Sequence, residues 1–213
     1  MSMSAEANRS DGRASNDDVA KSRTAAQSRD TKETKISCAM NLDGEGSSDI
    51  QTGIGFFDHM LTLFSFHSGI DLKLHAQGDL EVCDHHTVED CGILMGACLK
   101  EALQDKRGIE RYGSMLLPMD ETLAQVVLDI SGRSFLVYNC ELKRDTIGTF
   151  SCEMVEEFLR AFAFQAGITL HVNVPYGTND HHKVEAVFKA LGRALKAAVH
   201  VSGNMLPSTK GKL

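Results

Sequence analysis

Residues 84–90 read DHHTVED, and residues 180–186 read DHHKVEA. Around this doubled motif the two halves of the chain align in order. FDHMLTLFSFHSGIDLKL (57–74) lies over VEEFLRAFAFQAGITLHV (155–172) without a gap. DHHTVEDCGILMGACLKEAL (84–103) lies over DHHKVEAVFKALGRALKAAV (180–199). ETKISCAMNLDG (33–44) lies more weakly over ETLAQVVLDISG (121–132). Three stretches in one order mark an internal duplication. The chain must therefore fold as two similar units.

Each half reads alike. A strand ends at Asp-Gly or Ser-Gly, where glycine supplies turn geometry. An amphipathic helix follows, with Phe56, Met60, Leu63 and Phe64 at helical spacing in the first half and Val155, Phe158, Leu159 and Phe162 in the second. Gly69 and Gly167 stand where a glycine ends a helix. A short alternating strand comes next, IDLKLHA or ITLHVNV, and then a helix that opens on the histidine pair and runs to about Leu103 or Val199. This order predicts an α+β fold with helices on one face of a mostly antiparallel sheet. Four segments result: a disordered N-terminal tail at 1–30, a first α+β repeat at 31–112, a second at 113–205, and a C-terminal tail at 206–213.

Residues 1–30 carry almost no large aliphatics, so burial cannot offset the entropy of ordering them. A transit peptide is disfavoured there by Glu6, Asp11, Asp17, Asp18 and Asp30. The net charge of −7 argues against a nucleic-acid partner, which needs a basic face. No apolar run approaches the length of a membrane span. The six cysteines form no C-x-x-C pair, and free thiols in a reducing cytoplasm are the simplest reading. Cys83 reads as a small buried strand residue.

The chemistry lies in the doubled motif. On a helix Glu89 shares a face with the histidines three and four residues before it, whereas the adjacent His85 and His86 diverge. One ion cannot easily take both. His181, His182 and Glu185 repeat the arrangement, so two copies suit two metal ions, each drawing ligands from several elements. Imidazole and carboxylate without thiolate favour Mn2+, Fe2+ or Zn2+. His59 and its aligned partner Glu157 are further ligand candidates. Asp84 and Asp180 read as helix N-caps. Arg111, Arg133, Lys189 and the tail PSTKGKL (207–213) offer cations for a phosphate group. The residues alone thus predict a two-metal enzyme for a phosphorylated substrate. They leave open a hydrolase whose nucleophile is a metal-bridging water, and a non-catalytic metal-storage shell.

TGIGFFDHML, DHHTVEDCGILMG, RYGSMLLPMDETL, DISGR, GTF, NDHHKVEAVFKALGRAL and PSTKG together resemble the imidazoleglycerol-phosphate dehydratase family of histidine biosynthesis. The resemblance runs from about residue 29 to 213. It implies a duplicated α+β unit of the ribosomal protein S5 domain 2-like kind, whose four-stranded sheets pack through helical layers. It implies trimers assembled into a 24-subunit shell, with each active site between subunits and holding two Mn2+ ions. The implied metal ligands are His59, His85, His86, Glu89, His181, His182, Glu185 and Glu157, the last where familiar members have histidine. Glu33 matches the acid–base carboxylate. His67, Arg111, Arg133, Ser208 and Lys210 match the phosphate-binding set, and Lys189 another substrate contact. Leu63 stands where a substrate-contacting glutamine is familiar. The implied reaction removes water from D-erythro-imidazoleglycerol phosphate to give imidazoleacetol phosphate. The proton to be lost sits on a carbon with no carbonyl beside it, so metal bound to the imidazole has to stabilise the developing charge.

Overall fold

The computed structural model describes residues 22–213. Two four-stranded sheets each carry two helices. The first half runs β1 (Thr24–Asp30), β2 (Thr34–Asn41), β3 (Ser48–Gln51), α1 (Gly55–Ser68), β4 (Asp71–Gly78), α2 (His85–Ala102). The second runs β5 (Tyr112–Met119), β6 (Thr122–Asp129), β7 (Phe135–Asn139), a small hairpin β8 (Thr146–Ile147) and β9 (Phe150–Ser151), α3 (Met154–Ala166), β10 (Thr169–Tyr176), α4 (Asp180–Val199). The sheet orders are β1-β2-β4-β3 and β5-β6-β10-β7. In each, two pairs are antiparallel and the edge pair, β3–β4 or β7–β10, is parallel. The duplication and the α+β class read from the sequence are both present.

Three expectations need correction. Composition puts a disordered tail at 1–30, but β1 begins at Thr24; residues 1–21 lie outside the described residues. β1 pairs along its whole length with β2 yet buries only Ala25 among its side chains. Main-chain hydrogen bonds hold it, and composition does not register them. The repeat boundary moves with it, since the structural repeats open at Thr24 and Tyr112. Finally, Cys83 is exposed and precedes α2 in a loop rather than lying buried in a strand.

The core lies between the sheets, where α2 packs on α3 and α1 on α4. Phe57, Met60, Leu61 and Phe64 form the buried face of α1, and Val155, Phe158, Leu159 and Phe162 that of α3. The pairs approach closely because glycines stand at the crossings. A Cβ on Gly96 would lie 2.6 Å from the Phe162 carbonyl oxygen, and one on its duplicate Gly192 2.8 Å from that of Phe64. Gly69 and Gly167 close α1 and α3 in the left-handed region, at φ 74° and 69°. This packing sets the N-terminal turns of α2 and α4, which carry the histidine pairs, at the ends of two different helix pairs. No helix of the described residues is long and apolar enough to cross a membrane.

Candidate metal and substrate site

α1 and α4 bring three of the expected ligands together. One ligand atom each from His59, His181 and Glu185 lies within 4.8 Å of the other two. His181 Nε2 stands 3.0 Å from Glu185 Oε2, and His59 Nε2 3.7 Å from the same oxygen. The i, i+4 spacing along α4 puts His181 over Glu185, and α1 supplies His59 from across the helix pair. Burial alone would push the Glu185 carboxyl up. The Lys189 ammonium 2.6 Å away, with His181, overrides this and holds it below its ordinary value. A nearly buried carboxylate kept charged next to two imidazoles is a ready cation ligand set.

The duplication maps this trio onto Glu157, His85 and Glu89. His85 Nε2 lies 3.8 Å from Glu89 Oε2, and His85 and Glu157 line one cleft of about 660 Å3. Glu157 leans towards the Arg160 guanidinium, 3.8 Å away. The second trio is thus looser and more acidic than the first.

The other histidine of each pair points elsewhere, as divergence on a helix requires. His86 Nδ1 is 3.1 Å from Asp79, and its Nε2 lies 4.0 Å from Glu33. His182 Nδ1 is 2.8 Å from Glu121. These carboxylates raise the imidazole pKa values, through Asp79 for His86 and through Glu121 for His182. Sequence reasoning named neither acid. Glu121 had a signal, since the duplication pairs it with Glu33. Asp79 had none. An Nδ1–H donated to a carboxylate fixes the ring and turns Nε2 outward, the usual arrangement behind a histidine that ligates a metal. By donor type and spacing, His59, His181 and Glu185 fit one divalent cation; His85, Glu89 and Glu157 repeat the donor types without the same close spacing.

The substrate candidates fall into two groups. His67 and Lys189 sit on α1 and α4 beside the first trio, where burial and the nearby cations Lys189 and Arg193 lower the His67 pKa. Arg111, Arg133, Ser208 and Lys210 gather at the second sheet. The Arg111 guanidinium donates to both Asp129 oxygens, at 2.7 and 3.1 Å, and to the Pro207 carbonyl at 2.9 Å. Its fork is therefore occupied, and it seats the C-terminal tail. Arg133 is exposed, 3.9 Å from Asp129. The Ser208 hydroxyl accepts from the Lys210 amide and donates to the Lys212 carbonyl. No hydrogen bond or ion pair joins the two groups among the described residues. Leu63 is half-buried against the core.

Neither aspartate that opens a motif caps its helix through its side chain, although Asp84 stands at the N-cap position of α2. Asp84 has helical backbone angles and makes no capping bond, and Asp180 is already inside α4, which Asn179 caps through the His181 amide.

The family model for imidazoleglycerol-phosphate dehydratase matches residues 52–195. An imidazoleglycerol-phosphate dehydratase of Clostridium botulinum is 58% identical over 192 residues, covering 90% of this chain and 98% of that protein. This chain belongs to the imidazoleglycerol-phosphate dehydratase family. As a member it is a dehydratase, which rules against a hydrolase or a storage shell. An Oceanobacillus iheyensis imidazoleglycerol-phosphate dehydratase is 53% identical, with 90% of this chain and 100% of that one aligned. Among solved structures, the Staphylococcus aureus dehydratase superposes with a TM-score of 0.77 at 46% identity, over 84% of this chain and 99% of that one. The Pyrococcus furiosus dehydratase, solved in complex with (S)-C348, gives 0.77 at 36% identity, over 88% and 100%. The dehydratase fold is thus shared along nearly the whole length of these relatives.

Proposed function

We propose that this dehydratase eliminates water from D-erythro-imidazoleglycerol phosphate to give imidazoleacetol phosphate in histidine biosynthesis, with two Mn2+ ions per active site. The observation that carries this reading is the His59–His181–Glu185 trio and its duplicate at Glu157, His85 and Glu89. Two such trios would hold two cations. When bound, the cations supply Lewis acidity to the ring and so acidify a carbon that no carbonyl activates.

The remaining work falls to side chains. His59, His181 and Glu185 hold one cation, and His85, Glu89 and Glu157 the other. His86 and His182, tied back by Asp79 and Glu121, diverge from His85 and His181 along the helix and would complete the sites of neighbouring copies. The active site then lies between subunits of a homo-oligomer, the 24-subunit assembly of trimers that the family resemblance implies. Glu33, exposed and 4.0 Å from His86 Nε2, moves the proton at the reacting carbon. Its position beside a ligand histidine suits a general base. Lys189 and His67 contact the substrate near the first trio. Arg133, Ser208 and Lys210 bind its phosphate, with Arg111 holding the tail that presents Ser208 and Lys210.

Incubating the Mn2+-loaded protein with imidazoleglycerol phosphate, and following the product enol or ketone by absorbance, tests the reading. Turnover is expected; a wild-type protein without it overturns the proposal. Glu33→Gln should lower kcat by about 10^2- to 10^4-fold, the ordinary span for a general acid–base, with metal content unchanged. Near-normal turnover by that variant would remove Glu33 from the mechanism.

A further inference from the structure

We infer that Asp84 and Asp180, the first residues of the two DHH motifs, are positioning residues that brace both histidine pairs through one loop. Neither carboxylate serves its own helix as a cap. Both turn instead onto the segment between β7 and α3. Asp84 accepts hydrogen bonds from the Ser151 amide at 2.6 Å and the Ser151 hydroxyl at 2.8 Å. Asp180 accepts from the amides of Lys143 at 2.7 Å and Arg144 at 2.8 Å. The Lys183 ammonium, one turn along α4, bonds Asp180 at 3.2 Å and the Glu141 carbonyl at 2.6 Å. Asp84, Asp180 and Lys183 are all buried, where charge-assisted bonds are strong and an unpaired group is costly.

The loop between these anchor points is not slack. β8 pairs with β9, and the Cys152 amide donates to the Asp145 carbonyl at 2.8 Å. α2 packs on α3 and α4 on α1, so the two histidine-bearing helices belong to different pairs. The segment from 141 to 151 ties their first turns together. It also walls the cleft that holds His85 and Glu157, through Leu142, Arg144 and Ser151. A two-metal site needs its ligand pairs at a fixed separation, and this loop fixes one pair relative to the other. The inference rests on the proposed metal role of the histidines.

Titrating Mn2+ into the metal-stripped full-length protein by calorimetry, with thermal midpoints recorded beside it, tests both layers separately. A wild-type protein that takes up no Mn2+ overturns the metal reading itself. Given wild-type binding, Asp84→Ala and Asp180→Ala should each weaken it about tenfold, the scale of a lost positioning contact. The double variant should be no weaker than the worse single one, because a brace cut at either end is already loose. Losses that multiply to about a hundredfold would mean two independent local anchors and overturn the brace. So would lowered midpoints with unchanged Mn2+ affinity. Asp180→Ala strands a buried lysine and can fail to fold; Lys183→Met, which cuts the bond to the Glu141 carbonyl at the α4 end and leaves Asp180 its two amide donors, then carries the test. It should weaken Mn2+ binding a few-fold alone and add nothing in the Asp84→Ala background. An equal loss in both backgrounds counts against the brace.

Discussion

Glu157 shows how far a single residue can be read. The duplication sets it opposite His59, and the structure sets it on α3, in one cleft with His85. On the proposed reading one trio offers two imidazoles and one carboxylate, and the other one imidazole and two carboxylates. Glu157→Ala should therefore release one Mn2+ per chain after desalting, and Glu185→Ala the other, by elemental analysis; identical metal contents for both variants and wild type would contradict the assignment. A second residue sets a pH response away from the site. Asp71 accepts from the Ser47 amide at 2.9 Å, the Glu45 amide at 3.0 Å and the Asn41 side chain. These bonds, the Ser47 amide first, hold its carboxyl below the ordinary value. A depressed carboxyl stabilises above its unfolded pKa near 4 and loses that contribution as pH falls through its folded value. Asp71→Ala should cost about 1–2 kcal/mol at neutral pH, and the deficit against wild type should shrink in denaturant melts taken progressively into acid.

At the scale of elements, glycine spacing decides how close the helices come. Gly96 and Gly192 are duplicates, each facing a carbonyl of the partner helix. Gly96→Ala should destabilise by about 1–3 kcal/mol through overpacking. Gly55→Ala, at the start of α1 where a Cβ meets nothing within 4 Å, should be neutral or stabilising by up to about 1 kcal/mol. Thermal or chemical melts of the pair distinguish crowding from helix propensity, since both changes add the same methyl. The four helices and the four inner strands β2, β4, β6 and β10 were legible because each buries a periodic face. β1, β3, β5 and β7 were not. They are edge strands, paired on one side only, and their side chains are largely exposed or half-buried. Pro118 in β5 suits an edge, where a missing amide costs no ladder bond.

At the scale of the whole molecule, His86 and His182, which diverge from the trio histidines beside them, make a single chain an incomplete site on the proposed reading. Metal occupancy should then be linked to assembly. Chelation should lower the mass measured by light scattering after size exclusion, and Mn2+ should restore it. A particle of unchanged size after complete metal removal would separate assembly from the ligands.

The duplication, the registers of the histidine helices and the divergence of adjacent histidines are all legible in the bare chain. Those follow from helical geometry and from residues a few positions apart. Tertiary structure decided what each side chain meets. Asp79 and Glu121 turn His86 and His182, Lys189 keeps Glu185 charged, and residues 143–151 take the carboxylates that sequence reasoning assigned to capping. The physical reason is common to most of them. A local pattern fixes where a side chain leaves the backbone, but a polar group's orientation is set by its hydrogen-bond partners, and these come mostly from other elements.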